Sequence, residues 1–268
     1  MDYTPKRVVS LQPSATVILR DIGKLSSLVA CTKYCLEVCP EIADTGIAIV
    51  ADSWTAQSAQ ISQLRPDLVI ASVPYQEKAI AEIMKSGARF LGLAPKSLED
   101  IYGDISVIAA VMGVAAAGDV IIANMRDEIA RMRTRTRDLF RPKVFCEEWG
   151  KPLIASQRWV AELVEAAGGE FVGTSGAQAL PEHIADATPD VLIAAWCGAD
   201  DRVPLQKIVA ARGWQNLPAV RNGRVYCIRD EFLNTPAPTL VQGLHALATA
   251  IHPDCFPHAE GLRCIDIQ

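Results

Sequence analysis

Two stretches decide the fold: QLRPDLVIAS at Gln63–Ser72 and DATPDVLIAAW at Asp186–Trp196. Each follows a short helical segment, turns on a Pro-Asp pair and enters an apolar run without polar alternation. Such a run fits a strand buried on both faces of a parallel sheet. Pro66 falls in the first half of the chain and Pro189 in the second. The repetition predicts two similar α/β lobes with a cleft between them, a usual place for a small-molecule site.

Outward from these anchors the same alternation continues. The first lobe reads as strand 7–11, helix 14–22, strand 28–31, a loop, helix 59–64 and strand 67–71, then helix 76–85 and strand 90–93. Ser97, with Asp100 three residues on, marks the start of a further helix. The second lobe reads as strand 143–146, helix 159–167, strand 171–173, helix 181–187 and strand 191–195, followed by helix 205–211, strand 224–228 and helix 239–251. Between them, Val120, Ile121, Met125, Ile129 and Met132 recur at helical spacing within Val114–Phe140. Arg131, Arg133, Arg135 and Arg137 suit the negative end of that helix, and Arg141-Pro142 stops it. The expected organisation is an N-terminal lobe at 1–103, a connecting helical segment at 104–141, a C-terminal lobe at 142–252 and a surface tail at 253–268.

The 268-residue chain is 50% hydrophobic and 21% charged, enough to bury a sizeable core. Its net charge of −5 offers no electrostatic footprint for nucleic acid. No apolar stretch reaches the ~20 residues of a membrane span, so the protein is not expected to be membrane-embedded. Met1-Asp2-Tyr3-Thr4-Pro5-Lys6 leads into the first strand with no apolar leader region. As the sequence stands the expected location is cytoplasmic; the alternative is periplasmic, with a native leader removed. The eight cysteines are then expected as reduced thiols, and the chain as a monomer.

The ordered series RVVSLQPSAT (Arg7–Thr16), VACTKYC (Val29–Cys35), SWT (Ser53–Thr55) and RPDLVIA (Arg65–Ala71) continues in the second lobe with AAGGEF (Ala166–Phe171) and WQNLPAVRNGRVY (Trp214–Tyr226). Together these resemble the substrate-binding proteins of ABC importers for cobalamin and iron-siderophores, over most of residues 6–252. The resemblance implies an α/β protein of two Rossmann-like lobes with parallel sheets, joined by one long α-helix, the ligand cleft lying between the lobes. It implies non-catalytic binding of a corrinoid or an iron chelate, a small-molecule macrocycle, with no cofactor required. Members of that family are normally exported and dock on a permease through one acidic residue per lobe. The second-lobe position matches Glu182; the first-lobe position falls on neutral Gln60, so half of the docking pair is missing. The opening loop also has Val17 where the family often carries Glu.

Loops at the carboxyl ends of the strands should build the site. In the first lobe these give Gln12, Pro13, Tyr34, Trp54 and Tyr75; in the second, Trp149, Trp196, Cys197 and Phe232. Aromatic rings suit a large planar macrocycle, and Tyr and Trp add a polar handle for its amide side groups. The resemblance strengthens Tyr34, Trp54, Trp149 and Phe232. Trp159 and Trp214, on helical stretches, are expected to pack in the interior.

Cys31-x3-Cys35-x3-Cys39 is the oddest local feature. Its spacing departs from the C-x2-C zinc pattern. Its plainer reading is a core thiol followed by two incidental ones. The alternative is a metal- or cluster-binding protein or enzyme on the same scaffold, using Cys31, Cys35, Cys39 and Cys197. The histidines (His183, His245, His252, His258) show no paired metal spacing. Glu147-Glu148 follow a strand and could reach the cleft, and Asp200-Asp201 and Asp230-Glu231 are similar pairs in loops; paired carboxylates can do acid/base work, but adjacent residues usually point apart and solvate, and no nucleophile elbow or phosphate-binding loop accompanies them.

Overall fold

The computed structural model describes residues 4–73 and 77–266. Contacts divide the chain into two compact units: Met1–Pro95 with Glu99–Asn124, and Lys96–Leu98 with Met125–Gln268.

The first unit contains β1 (Val8–Ser10), α1 (Pro13–Asp21), β2 (Leu28–Cys31), α2 (Lys33–Val38), β3 (Ala48–Ile49), α3 (Ser58–Gln63), β4 (Leu68–Ser72), α4 (Glu77–Lys85), β5 (Arg89–Leu93) and most of α5 (Leu98–Val111). Its five strands lie in the order β3-β2-β1-β4-β5 and every pairing is parallel. β1 and β4 are central and buried, as their uninterrupted apolar sequence requires. Val9, Leu11, Val69, Ile61 and Ile83 join one core cluster. The strand order reverses between β1 and β4, so the loops leaving these two strands flank a crevice at the carboxyl edge.

The chain then runs into α6 (Ala115–Thr136), and the division between units falls inside this helix. Its 22 residues span about 33 Å. It ends four residues before Phe140. The Thr136 hydroxyl bonds back to the Met132 carbonyl (3.1 Å) and across to that of Ala166 (3.1 Å), which fixes the last turn before Pro142.

The second unit holds β6 (Lys143–Gly150), β7 (Leu153–Ala155), α7 (Arg158–Ala166), β8 (Glu170–Phe171), α8 (Pro181–Asp186), β9 (Val191–Ala194), α9 (Leu205–Ala211), α10 (Pro218–Arg221), β10 (Val225–Ile228), α11 (Asp230–Asn234), α12 (Leu240–Ile251) and β11 (Leu262–Cys264). The sheet order is β11-β10-β9-β6-β7, with β8 also on β6. Here the expectation of a parallel sheet needs correction: the sheet is mixed. β6 pairs in parallel with β8 and β9, but antiparallel with β7, and β11 is antiparallel to β10. β6 runs past its short parallel neighbour β8, and the chain folds back at Lys151-Pro152 so that β7 covers the exposed edge. Segment 253–268, read as a surface tail, contributes the edge strand β11.

The duplicated Pro-Asp pairs do the same work in both units. The Asp67 carboxylate accepts the backbone N–H groups of Lys6 (2.8 Å) and Arg7 (3.0 Å), while the Asp67 N–H donates to the Arg7 carbonyl (2.8 Å). The Asp190 carboxylate accepts from the Lys143 N–H (2.8 Å) and its own N–H donates to the Lys143 carbonyl (2.8 Å). Each aspartate thereby ties the start of one central strand to the start of the next. The residue before each proline, Arg65 or Thr188, takes a positive φ (46° and 50°) to make the turn.

Hydrogen bonds to a charged group contribute about 1.5–3 kcal/mol when sheltered and less at the surface. Asp190→Ala is therefore expected to destabilise the second unit by about 1–2 kcal/mol, read as a lowered urea midpoint with circular dichroism. Asp190→Asn, which keeps an acceptor, should lose less.

Candidate functional site

In the first unit the expected residues gather at the carboxyl edge of the sheet. Gln12 follows β1 and is buried; Pro13 opens α1 behind it. The Ser53 hydroxyl donates to the Leu11 carbonyl (2.9 Å) and accepts from the Ser72 N–H (3.1 Å), and the Ser72 hydroxyl donates to the Gln12 side-chain oxygen. This network links the loops after β1, β3 and β4. It holds Trp54 on a tight turn in which the Asp52 carboxylate accepts from the N–H groups of Trp54 and Thr55, both at 3.0 Å. Trp54 is 44% exposed. Tyr34 lies on α2, half-buried, with the Lys33 ammonium 4.8 Å from its ring centroid. Tyr75 lies outside the described residues.

α2 replaces the expected loop. Thr32 caps it, accepting from the Cys35 N–H (3.3 Å). The cap turns Cys31, Cys35 and Cys39 inward, and all three are fully buried. The neighbouring Cys35 and burial raise the Cys31 thiol, Cys31 in turn lowers Cys35, and burial pushes Cys39 up to about 12. Among the described residues no three or more Cys, His, Asp or Glu converge to hold a metal ion, so the cluster alternative gains no support from the geometry.

In the second unit Trp149, Trp196 and Cys197 come together where the strand order reverses, between β6 and β9. A cavity of about 460 Å³ opens there, walled by Trp149, Trp196, Pro204 and Ile208, with Lys151, Lys207 and Arg212 also lining it. The group that organises it is Glu147, the first of the carboxylate pair that the sequence places after a strand. Glu147 is only 3% exposed. Its carboxylate accepts from the Trp196 indole N–H (3.0 Å) and from the Arg212 guanidinium (2.6 Å). Arg212 also donates to the Gly150 carbonyl (3.2 Å) and lies over the Trp214 ring. Burial pushes the Glu147 carboxyl up, and Arg212 and the indole N–H oppose that shift. The Trp196 ring lies directly on Gly150, where an added Cβ would stand 2.1 Å from the indole. A glycine is thus required by close approach, not by its own φ. The Trp149 indole N–H donates to the Lys151 carbonyl (3.0 Å), and the residue is 44% exposed.

Phe232 does not join this group. It sits on α11 and is buried, its ring against Gly261 and its main-chain carbonyl against Gly243, with Arg229 over the ring. Its position after β10 suggested a loop; a five-residue helix turns it inward instead. Trp159 and Trp214 are buried, their indole N–H groups donating to the carbonyls of Leu233 (2.8 Å) and Pro181 (3.1 Å). Glu182 is exposed in the first turn of α8. Gln60, on α3, turns its side-chain oxygen to the Ala51 N–H (3.0 Å).

Residues 8–232 match the family described as periplasmic binding protein, and the chain belongs to that family. An uncharacterized ABC transporter substrate-binding lipoprotein, YvrC of Bacillus subtilis, is 24% identical over 94% of this chain and 82% of its own length. A cobalamin-binding protein of Halobacterium salinarum is 25% identical over 94% of this chain and 71% of its own. Among solved structures, a periplasmic heme binding protein from Pseudomonas aeruginosa superposes with a TM-score of 0.84 over 98% of this chain and 99% of its own, at 19% identity. No helix among the described residues is long and apolar enough to cross a membrane.

Two outcomes are expected from this geometry. Arg212→Met leaves a buried carboxylate without its partner, a change that typically costs about 3–5 kcal/mol. Its urea midpoint should fall far more than that of the double variant Glu147→Gln/Arg212→Met, in which no charge is stranded. In a thiol titration of the folded protein, Cys255 should react first, Cys197 and Cys264 more slowly because burial raises their thiols, Cys197 to about 12, and the five buried cysteines only after denaturation.

Proposed function

We propose that this chain is a non-catalytic solute-binding protein that takes a corrinoid or an iron chelate on the loops at the carboxyl ends of its strands. One observation carries the reading. Trp54 and Trp149 are exposed at those ends, one in each unit, whereas Trp159 and Trp214 are buried. Exposing an indole to water forfeits roughly 1.5–3 kcal/mol of burial, a cost that is recovered when a flat apolar ligand covers it. The family and its relatives support the same reading: one relative is named for cobalamin and a structural neighbour for heme. Gln12, Pro13, Tyr34, Trp196 and Cys197 complete the proposed contact set, while buried Phe232 supports the α11 packing. No cofactor and no reaction enter this reading.

Delivery to an importer belongs to the family's work. The two docking positions differ in what they offer. Glu182 presents an exposed carboxylate, while the Gln60 side-chain oxygen is engaged with its own backbone. Docking on a permease arginine would therefore rest on Glu182.

Calorimetric titration with cobalamin, cobinamide, haem and a ferric siderophore tests the ligand class. Trp54→Ala and Trp149→Ala are each expected to weaken the best ligand at least tenfold, about 1.4 kcal/mol. Unchanged affinity in both variants would sink the assignment.

A further inference from the structure

The cavity of the second unit carries an uneven charge. Three of its lining side chains are cationic, Lys151, Lys207 and Arg212, and among the described residues that line it none is acidic. Arg212 is neutralised from behind by Glu147 at 2.6 Å and has a side-chain exposure of only 9%. Lys151 and Lys207 stand exposed beside the apolar wall, and the carboxylates nearest that wall, Glu148 and Asp230, act on its Cys197–Gly198 end, where Asp230 accepts the Gly198 N–H (2.7 Å). The wall is preorganised: Trp196 is held by its N–H on Glu147 and by its ring on Gly150, and Trp149 by its N–H on the Lys151 carbonyl. At about 460 Å³ the cavity falls within the range of small-molecule sites.

From this we infer that the cavity takes a flat apolar ring bearing an acidic substituent, the ring lying against Trp149 and Trp196 and the acid meeting Lys151 and Lys207. The inference rests on the macrocycle reading and narrows it to acid-bearing ligands. An anion near two ammonium groups beside a low-dielectric wall gains more than it would in open water. A neutral ring would fill the same volume and leave both charges unmatched. The acid is a carboxylate on a tetrapyrrole or the phosphate of a nucleotide-bearing corrinoid, and two ligand pairs separate these sources. Iron protoporphyrin and its dimethyl ester differ only in the carboxylates. Cobalamin and cobinamide differ in the phosphate-linked nucleotide.

Calorimetry on the full chain should show the acid-bearing member of one pair binding at least tenfold tighter than its neutral counterpart. The pair that shows it identifies the source. In Lys151→Gln/Lys207→Gln, two exposed positions whose exchange leaves the core intact, the preference should shrink to less than about threefold while the neutral member keeps its affinity. Ala211→Trp, which fills the cavity from the exposed side of α9, should weaken the preferred ligand to the level of the neutral one. Equal binding within both pairs overturns the inference and leaves the macrocycle reading standing. So does a preference that survives in the double lysine variant, or one that Ala211→Trp leaves untouched. Failure of all four ligands to bind overturns the macrocycle reading together with the inference.

Discussion

In each unit an aspartate at the mouth of a central strand receives the backbone of its neighbour, and everything at the other end of the sheet depends on it. A parallel pair has no hairpin to set its register. Asp67 and Asp190 supply that register by a reciprocal pair of bonds to Arg7 and Lys143, the aspartate N–H donating to the strand carbonyl and the aspartate carboxylate accepting the strand N–H. Slippage by one residue would turn every inward side chain outward. Fixing the strands where they begin also fixes where they end. Leu11, Ser53 and Ser72 then meet closely enough to share one serine hydroxyl in the first unit, and Glu147 meets Trp196 in the second.

The two units use the carboxyl edge differently. In the first, neutral groups are tied together: a serine, an amide and a main-chain carbonyl. In the second, a buried ion pair spans residues far apart in sequence, Glu147 and Arg212, and collects two tryptophan-bearing loops around it. A buried pair adds little net stability over an apolar replacement, but it is strict about geometry, because either charge left alone is costly. That strictness is useful where an indole must be held in one orientation while part of it faces solvent.

The central strands were legible in the sequence because burial on both faces leaves an unbroken apolar run, as in Leu68–Ala71 and Val191–Ala194. The short edge strands β7 and β11 were not. Three residues carry no period, and what makes them strands is an open neighbouring edge. α2 was hidden for a similar reason: six residues are too few for a helical pattern, and its evidence lies in the Thr32 cap. Trp149, Trp196 and Cys197, picked out by their place at strand ends, share one cavity wall. Phe232 shares that place, yet the short helix α11 turns its ring in against Gly261. Glu147 was the residue hardest to read. Its sequence neighbours give an ordinary acidic pair, and its partner lies 65 positions away, just past the end of α9. A carboxylate's burial is set by what folds over it, and local sequence holds no record of that.

The indole of Trp196 has one further property that follows from its mooring. Its N–H points at a carboxylate beside a guanidinium, and its ring rests on a glycine with no side chain to cushion it. The excited state of an indole responds to nearby charge and to any chromophore that can accept its energy. A ring clamped at such a spot on the wall of a cavity is a built-in optical gauge, its emission reporting occupancy without a label.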